Sequence, residues 1–489
     1  MNPMQQPSSP GGERPAITAA GGAGLWPARG GEDEAASTRH GPGAPSHAGQ
    51  ERVWTTDLAA HAGQRVSLAG WLQRFRRLGG VAFLVLRDGR GTAQVVVDDP
   101  ELAERLAGLH AESVLAVEGL VVAEPQAPGG VELRQPSVEV VAPAAAPPPI
   151  ELFRPTLGAQ LPTVLDHAPI ALRHPRQRAL FRISAAAMAG FRSALGRRGF
   201  VEIQTPKIVA AATEGLRPGE TGGANVYRLD YHGRSAYLSQ SPQLYKQVMV
   251  GVFERVFEVG PAFRAEPHDT ARHLNEFVSL DAEIGFVEDH TTVMAVLTEV
   301  IRGMAAAVRD EAADALALLG LEPPEVPDRI PAVHFADAQA MITRATGDEL
   351  AGELDLAPSH ERWLGDWARR EHGVDFLFVT GYPMAKRPFY THPEPGRPEY
   401  SNSFDLLFRG LELVTGGQRL HRHDDYLAAL SARGLDPAPL GWYLEAFRHG
   451  MPPHGGFAIG LERWVARLVG AQNVRETTLF PRDLQRLTP

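Results

Sequence analysis

The stretch Gly455-Gly-Phe-Ala-Ile-Gly-Leu-Glu-Arg463 is an apolar strand pattern with three glycines that runs into the start of a helix. Because glycine carries no side chain, it lets a ligand approach the backbone closely. The helix that follows would place Arg463 at the edge of a ligand pocket. A glycine-rich turn alone is weak evidence for a binding site, so this stretch must be interpreted together with the segments that precede it.

A second segment, Phe263-Arg264-Ala265-Glu266, places an arginine where a strand pattern ends. Such an arginine can clamp a phosphate with two hydrogen bonds, and the nearby aromatic Phe277 can stack on a base. In isolation, an Arg-x-Glu pair is more often a salt bridge than a binding site.

The third segment carries Asp405, Glu412 and Arg419, spaced seven residues apart. On one continuous strand this spacing would put neighbouring members on opposite faces. A turn near Arg409-Gly410 must therefore intervene if the two carboxylates are to meet at one Mg²⁺ beside ATP oxygens. The side chains of His421, His423, Asp424 and Asp425 also suggest a metal, but a solvated strand end explains them better.

Composition restricts the chemistry. The 489 residues include 58 acidic and 48 basic ones, for a net charge of −10, and no cysteine. This excludes disulfides, thiolate-bound metals and thiol nucleophiles. No run approaches the roughly 18 apolar residues of a membrane span, and no export signal is recognised, so we expect a cytoplasmic protein.

Among the basic residues only Lys207, Lys246 and Lys386 are lysine. Because an ammonium group and a guanidinium fork are not equivalent, these three positions are candidates for sites that require a compact charge. No lysine follows a glycine, so the phosphate-binding loop that ends in Gly-Lys-Ser/Thr is absent from the sequence.

Composition also divides the chain. Residues 1–50 hold 10 glycines and 7 prolines, so we expect a disordered tail there. The Ala/Pro run at 142–149 predicts a stiff linker within a hinge at 142–170. A small domain at 51–141 and a larger one at 171–489 would lie on either side of this hinge.

The small domain alternates apolar and polar residues in short segments. The predicted strands are 65–71, 81–86, 93–97, 114–122 and 138–141, with a helix at 100–109. Five such strands indicate an OB-fold β-barrel, which binds single-stranded nucleic acid through aromatic and basic side chains. Arg74, Arg76 and Arg77 are predicted in the loop after the first strand, and Phe83 would be a core residue if the barrel stood alone.

In the larger domain, strands neighbour other strands along the sequence. The predicted strands include 255–259 and 411–414, and the predicted helices include 178–198, 291–309 and 361–371. This order favours an α+β domain with an antiparallel sheet flanked by helices. Seven arginines and no acidic residue between Leu172 and Arg198 make a basic face plausible there.

Three segments, in order, resemble the motifs of the class II aminoacyl-tRNA synthetases. Residues 199–206 resemble motif 1, residues 263–283 motif 2 and residues 456–463 motif 3. Gln240-Ser-Pro-Gln-Leu-Tyr-Lys246, together with Gly416-Gly-Gln-Arg419, is similar to the aspartate-specific members, in their archaeal layout. The resemblance implies an OB-fold barrel before a class II catalytic domain, the substrates L-aspartate, ATP and tRNA(Asp), the cofactor Mg²⁺, and a homodimer formed through motif 1 around Pro206.

The resemblance also implies residue roles. Aspartate would be held by Glu214, Ser241, Gln243, Lys246, Asp281 and Arg419, with Lys246 and Arg419 on its side-chain carboxylate. ATP would be bound by Arg264, Glu266, Arg272, His273, Phe277, Glu412, Gly460 and Arg463. Arg264, Glu266 and Arg463 would form the catalytic set, with Arg264 on the α-phosphate. Phe277 and Arg463 would enclose adenine, and Asp405 and Glu412 would hold Mg²⁺.

In the barrel, Arg76, Phe83 and Gln94 fall where the family reads the anticodon. Splayed, stacked single-stranded bases are how proteins usually read RNA sequence. Gln73 and Pro128 fall where archaeal-type members discriminate tRNA(Asp) from tRNA(Asn). Pro128 resembles enzymes that charge both tRNAs, whereas Gln73 matches neither pattern, so tRNA(Asn) is a second candidate substrate.

Besides Gln73 and Pro128, one further departure, one residue without a role and two rivals remain. Residues 215–224 lengthen the loop that closes over aspartate, and Lys386 matches a family segment without an assigned role. An asparagine-specific synthetase is the nearest rival, but a neutral amide gains nothing from the ammonium of Lys246. A nonenzymatic RNA-binding paralogue is the other, and the retained charged motif residues count against it.

Overall fold

The computed structural model describes residues 44–47, 50–211 and 225–489. Most of the predicted tail, Glu214 and the lengthened loop at 215–224 therefore lie outside the described residues. Two short antiparallel strands, β1 (Ala44–His47) and β2 (Gln50–Arg52), begin before the predicted domain boundary at residue 51.

A closed five-stranded barrel follows. Its elements are β3 (Arg65–Leu78), β4 (Val81–Arg87), β5 (Thr92–Val97), α1 (Pro100–Ala107), β6 (Val114–Ala123) and β7 (Val131–Ala142). The strand order is β3-β4-β5-β7-β6, and β6 closes the barrel by pairing with β3. Alternate side chains point inward, and Leu68, Leu84, Val95 and Leu133 belong to one buried apolar core.

Two details of the predicted barrel were wrong. Arg74, Arg76 and Arg77 lie on β3, which continues to Leu78 before the turn at Gly79, and not in a loop. A bulge between Leu72 and Arg74 shifts the register, and pairing with β4 keeps the basic stretch extended. The last strand also begins at residue 131, seven residues earlier than expected.

The larger part contains the remaining helices and strands. In chain order they are α2 (Leu161–Asp166), α3 (Ala168–Ala171), α4 (Pro175–Arg197), β8 (Val201–Glu202), β9 (Ile208–Val209), β10 (Arg228–Tyr231), β11 (Arg234–Leu238), α5 (Gln243–Phe253), β12 (Arg255–Phe263), β13 (Glu276–Gly285), α6 (His290–Glu311), α7 (Ala313–Leu319), β14 (Ala332–His334), α8 (Phe335–Thr346), α9 (Pro358–His372), β15 (Phe376–Thr380), β16 (Pro393–Glu394), β17 (Arg397–Ser401), β18 (Ser403–Phe408), β19 (Leu411–Gln418), α10 (His423–Ala432), α11 (Gly441–Arg448), β20 (His454–Gly460) and α12 (Leu461–Val469). Short 3₁₀ turns lie at Thr55–His61, Pro128–Gly130, Ala438–Leu440 and Val474–Thr477.

An eight-stranded sheet forms the centre of this part, in the order β14-β15-β18-β19-β20-β13-β12-β8. The six central strands pair antiparallel, and only the edge strands β14 and β8 pair parallel to their neighbours. The predicted antiparallel α+β architecture is confirmed. Strands β9, β10 and β11 form a separate small sheet, and β16 pairs with β17.

The main apolar core lies on one face of the central sheet, beneath α4, α6 and α12. Helix α6 is the one helix in the described part of the chain that is long and apolar enough to cross a membrane. Its residues Val293, Leu297, Val300 and Met304 are buried in this core, so α6 is a core helix. The opposite face of the sheet is left to the polar site described below.

Several arginines before and within α4 make structural contacts. Arg173 donates to Glu112 of the barrel at 2.9 Å, and Glu112 also pairs with the buried Arg87 at 2.7 Å. Arg178 donates to the backbone carbonyls of Asp88 and Gly89. The arginine-rich segment therefore joins the barrel to the larger domain through these contacts.

Candidate active site

Strand β13 runs through the site and separates two environments by simple alternation. Ser279, Asp281 and Glu283 make polar contacts on one face, while the residues between them lie in the main core. Strand β20 is its neighbour, and Gly456 lies opposite Glu283. A Cβ atom at Gly456 would be 2.1 Å from Glu283 Oε2, so only glycine fits beside this carboxylate.

A cavity of about 520 Å³ opens on this face of the sheet. The predicted site residues that line it are Ser241, Gln243, Arg264, Glu266, Arg272, His273, Phe277, Asp405, Glu412, Arg419, Gly460 and Arg463. Lys246 and Asp281 lie behind its wall and join it through the polar network of Arg419. The structure thus brings together every predicted aspartate, ATP and metal residue that it describes.

Lys246 projects from α5 into a fully buried position and is 1% exposed. Its Nζ donates to Asp281 Oδ1 at 3.0 Å and to the carbonyl of Phe457 at 3.1 Å, and lies 3.3 Å from Glu283 Oε2. Ser279 Oγ donates to the other oxygen of Asp281 at 2.5 Å. The carbonyl of Ala282 also accepts from Nζ, at 3.4 Å. The buried ammonium is therefore held by two carboxylates and two carbonyls, as burial of a charge requires.

Arg419 completes this network from the end of β19. Its Nε donates to Glu283 Oε1 at 3.0 Å, and its second nitrogen reaches Gln243 Oε1 at 3.3 Å and the carbonyl of Gly456 at 3.1 Å. Burial alone raises the pKa of Glu283, but the charges of Arg419 and Lys246 outweigh it and lower that pKa below its ordinary value. Glu283 is thus an ionised anchor for both cations.

The nucleotide end of the cavity is built from the loop between β12 and β13. Arg264 follows β12, and its guanidinium carbon lies 5.5 Å from the centroid of the Phe277 ring. Backbone hydrogen bonds from Arg264 to Asn275 and from Ala265 to Asn225 hold the loop. Burial, with the nearby charge of Arg463, lowers the pKa of His273, so this ring is neutral at pH 7.

The two carboxylates predicted to hold metal meet on one hairpin. The expected turn lies at Arg409 and Gly410, between β18 and β19. Asp405 pairs with Thr415, and a bulge in β19 brings Glu412 to the same face. Thr415 Oγ1 donates to Glu412 Oε1 at 3.2 Å.

Asp405 is not a free carboxylate. The buried Arg387 donates to it at 2.9 Å, and the same guanidinium donates to Ser403 Oγ at 2.9 Å. Burial raises the pKa of Asp405 to about 6, because Arg387 offsets only part of the desolvation and Glu412 adds a second negative charge.

These oxygen donors fit Mg²⁺, which prefers carboxylates together with substrate phosphates and water. Asp405, Glu412 and Thr415 line the cavity, and their side chains carry oxygen as the only ligand atom. Among the described residues no group of three or more His, Cys, Asp or Glu side chains is arranged to hold a metal, the 421–425 segment included. A metal here would therefore depend on the phosphates of a bound nucleotide.

Sequence reasoning missed Glu283, Glu361 and Arg387. Glu283 lies two residues after Asp281 on the same face of β13, so strand alternation could have identified it. Arg387 follows Lys386, which lines the cavity mouth and pairs with Asp355 at 2.5 Å. Lys207 lies elsewhere and pairs with the buried Glu258 at 2.5 Å.

The barrel presents a second candidate surface. Phe83 on β4 lies directly opposite Arg76 on β3, and the Arg76 guanidinium carbon is 5.3 Å from the centroid of its ring. Gln94 on β5 lies opposite Val85, which shares the face of Phe83 two residues away. By this pairing, all three predicted anticodon residues share one outer face of the barrel. Phe83 is half-buried there, and Gln94 donates to Glu132 at 2.9 Å.

The two positions predicted to discriminate tRNAs lie in different local structures. Gln73 is the extra residue at the β3 bulge. Pro128 is exposed in the short 3₁₀ turn between β6 and β7.

Comparison with known proteins finds matches for both parts of the chain. A family model described as tRNA synthetases class II (D, K and N) matches residues 161–484, and one described as OB-fold nucleic acid binding domain matches residues 66–141. The aspartate–tRNA(Asp/Asn) ligase of Thermus thermophilus is 45% identical over 438 residues, which cover 90% of this chain and 100% of the relative. The aspartate–tRNA(Asp) ligase of Pyrococcus horikoshii is 39% identical over 434 residues, 87% of this chain and 97% of the relative.

Solved structures give the same fold for two amino-acid specificities. The aspartyl-tRNA synthetase of Entamoeba histolytica superposes with a TM-score of 0.78 at 31% identity, covering 91% of this chain and 96% of that one. The asparaginyl-tRNA synthetase of Pyrococcus horikoshii with asparaginyl-adenylate gives 0.77 at 30% identity, covering 88% and 97%. The fold alone therefore does not decide between aspartate and asparagine.

Proposed function

The chain belongs to the class II tRNA synthetases of the D, K and N group, and we propose that it charges tRNA(Asn) as well as tRNA(Asp) with L-aspartate. It is a ligase that forms aspartyl-tRNA at the expense of ATP. The residue roles below are part of the proposal, and so is the second tRNA.

One observation carries the choice of aspartate. Arg419 lines one end of the cavity and Lys246 is buried directly behind it, and their charges are balanced by Asp281 and Glu283. A side-chain carboxylate can accept from Arg419 and is attracted by the charge of Lys246 behind it, whereas the amide of asparagine brings no charge to either cation. Ser241, Gln243 and Asp281 would hold the α-ammonium and α-carboxylate groups of aspartate. Ser241 Oγ accepts from the backbone N–H of Gln243 at the start of α5, which keeps the first two together.

In the first step an oxygen of the aspartate α-carboxylate attacks the α-phosphorus of ATP, and the bond to pyrophosphate breaks. Arg264, which lines the cavity, would bind the α-phosphate as negative charge grows on its oxygens. Phe277 and Arg463 would enclose the adenine, and Glu266, which lines the same cavity, would also bind the nucleotide. Positioning and electrostatic stabilisation supply the catalysis, because no covalent enzyme intermediate is needed.

Asp405 and Glu412 would hold Mg²⁺ with the nucleotide phosphates, where the ion neutralises charge on the leaving pyrophosphate. Arg387 keeps Asp405 oriented toward the cavity. Arg272, His273 and Gly460 line the same cavity and would contact the nucleotide.

In the second step the 3′-hydroxyl of the terminal adenosine of tRNA attacks the carbonyl carbon of aspartyl-adenylate, and AMP leaves. The barrel would hold the anticodon, with a base stacked on Phe83 beside Arg76 and a second read by Gln94. Arginine on this face suits RNA despite the net charge of −10, because binding depends on local charge.

We further propose a cytoplasmic homodimer formed through motif 1 around Pro206. Val201 and Ile208, which lie on either side of Pro206 in the sequence, are exposed apolar residues, and a second subunit would cover them. Sedimentation equilibrium measures the mass directly, and a monomer at micromolar concentration contradicts this assembly.

Amino-acid-dependent exchange of labelled pyrophosphate into ATP tests the activity. We expect exchange with L-aspartate and at most a trace with L-asparagine. Exchange with asparagine alone would show that the enzyme is specific for asparagine. Exchange with neither amino acid would exclude the proposed chemistry.

Charging of tRNA(Asp) and tRNA(Asn) transcripts, side by side, tests the second acceptor. We expect both transcripts to accept aspartate. Charging of tRNA(Asp) alone would restrict the enzyme to one tRNA and leave the aspartate assignment intact.

A further inference from the structure

Helix α9 packs directly on the turn that joins the two carboxylate-bearing strands. A Cβ atom on Gly365 would lie 2.5 Å from the backbone nitrogen of Gly410, and one on Gly410 would lie 2.8 Å from the Cα of Arg362. Gly410 also has a φ of +71°, which favours glycine. Backbone therefore touches backbone here, and α9 determines where the β18–β19 turn can lie.

One acidic side chain of α9 extends from this contact toward the nucleotide end. Glu361 is 4% exposed and does not line the cavity. Its Oε2 accepts from the backbone N–H of Glu412 at 2.9 Å, and its Oε1 accepts from Arg272 at 3.4 Å. Glu412 and Arg272 both line the cavity, from different parts of the chain.

The backbone of Glu412 is held on its other side as well. The guanidinium of Arg463, on α12, donates to the carbonyl of Glu412 at 3.3 Å. Glu412 is thus fixed between a carboxylate at its nitrogen and a guanidinium at its oxygen. The same Glu361 side chain restrains Arg272, in the loop between β12 and β13, through its second oxygen.

We propose that Glu361 is a positioning residue for ATP: it fixes the backbone of Glu412 and sets Arg272 at the nucleotide end of the cavity. The aspartate end does not share these contacts, because Lys246 and Arg419 are held by Asp281 and Glu283. The proposal rests on the function proposed above only in taking ATP as the nucleotide. Loss of Glu361 should therefore weaken ATP binding selectively.

The test compares Glu361→Gln with Glu371→Gln, the same exchange at an exposed position of the same helix. Glutamine can still accept from the N–H of Glu412 but carries no charge for Arg272. We expect the Kd for ATP in the presence of Mg²⁺, measured by calorimetry without amino acid, to rise about tenfold in E361Q. We expect wild-type affinity in E371Q, and a KM for aspartate in E361Q within about twofold of the wild type.

A double-mutant cycle separates positioning from general damage. If Glu361 acts through Arg272, then E361Q should add little to the loss of ATP affinity caused by Arg272→Ala. If E361Q does not fold, Glu361→Asp takes its place. Its side chain is one methylene shorter, so both carboxylate oxygens lie farther from Glu412 and Arg272. The same rise in the Kd for ATP is then expected.

Unchanged ATP affinity in a folded Glu361 variant would overturn the proposal. Equal losses toward ATP and aspartate, or full additivity with Arg272→Ala, would overturn it too. Calorimetry needs no amino acid, so it decides on Glu361 even if the wild-type protein fails to exchange pyrophosphate with aspartate. That failure would count only against the proposed function.

Discussion

Replacement of Lys246 by methionine is the sharpest perturbation of the proposed aspartate site. Methionine keeps most of the apolar stem of lysine but removes the ammonium group. In the native protein that group contacts Asp281 at 3.0 Å, Glu283 at 3.3 Å and the carbonyl of Phe457 at 3.1 Å, at 1% exposure. The variant therefore removes a buried charge and leaves two carboxylates behind.

The structure bounds the size of the effect. Removal of one partner from a buried charge pair costs about 3–5 kcal/mol when the other charge is left alone. Here Asp281 keeps the hydroxyl of Ser279 at 2.5 Å, and Glu283 keeps Arg419 at 3.0 Å. We therefore expect the lower end, about 3 kcal/mol of destabilisation. Loss of the charged contact to aspartate should cost a similar amount, or roughly a hundredfold in kcat/KM for aspartate.

Pyrophosphate exchange at varied aspartate and saturating ATP measures this loss, and circular dichroism measures the stability. Lys207→Met is the matched control, because it removes the other lysine that pairs with a buried carboxylate, Glu258, away from the cavity. We expect K207M to lose stability but to keep its KM for aspartate. If folded K246M activates aspartate within about threefold of the wild type, Lys246 does not bind the substrate carboxylate and the reasoning fails.

Three further predictions test other parts of the molecule. Phe83→Ala should raise the KM for tRNA by about tenfold through loss of base stacking, while aspartate-dependent pyrophosphate exchange stays at the wild-type rate; a reduced exchange rate would place Phe83 in the fold and not in tRNA binding. Gly456→Ala should destabilise the protein by about 3 kcal/mol and abolish exchange, because its Cβ would lie 2.1 Å from Glu283 Oε2, and a fully active variant would contradict that geometry. Burial raises the pKa of Glu462 to about 7. Between pH 4.5 and 7 the folded wild-type protein therefore binds one proton more than the unfolded chain, and it loses stability as the pH rises through that window. Glu462→Gln removes this titration. The free energy of unfolding of the variant minus that of the wild type, measured by urea titration, should therefore be about 3 kcal/mol higher at pH 8 than at pH 4. A difference that stays constant with pH would disprove the assignment.

The sequence predicted those features that local geometry dictates. The seven-residue spacing of Asp405 and Glu412 required a turn near Gly410, and the turn is there. The glycine-rich 455–463 segment predicted a strand that runs into a helix, and β20 and α12 are there. The glycine at 456 makes room for the side chain of Glu283, and close approach of a ligand stays a prediction. In each case the constraint comes from backbone conformation or from side-chain alternation, which act over a few residues.

The features that sequence reasoning missed depend on tertiary contacts. Glu361 reaches the N–H of Glu412 across 51 residues, and its neighbours in α9 give no sign of that role. Arg387 meets Asp405 only because β18 returns beside the 381–391 segment. The basic residues of β3 were predicted in the loop after a strand ending at residue 71, whereas pairing with β4 keeps them extended to Leu78.

The balance of charge at the aspartate end explains how one site could both stay folded without substrate and select it. Two buried cations without partners would be costly, and Asp281 and Glu283 remove that cost by pairing with Lys246 and Arg419. In the proposed binding mode, the side-chain carboxylate of aspartate takes over part of this pairing, and its α-ammonium group compensates Asp281. Asparagine has the α-ammonium group but no side-chain carboxylate. It would therefore bind without adding a negative charge beside Lys246 and Arg419. This difference is larger in a buried site, because water screens charge interactions less there than at the surface. Selection against asparagine then follows from the same network that stabilises the empty site.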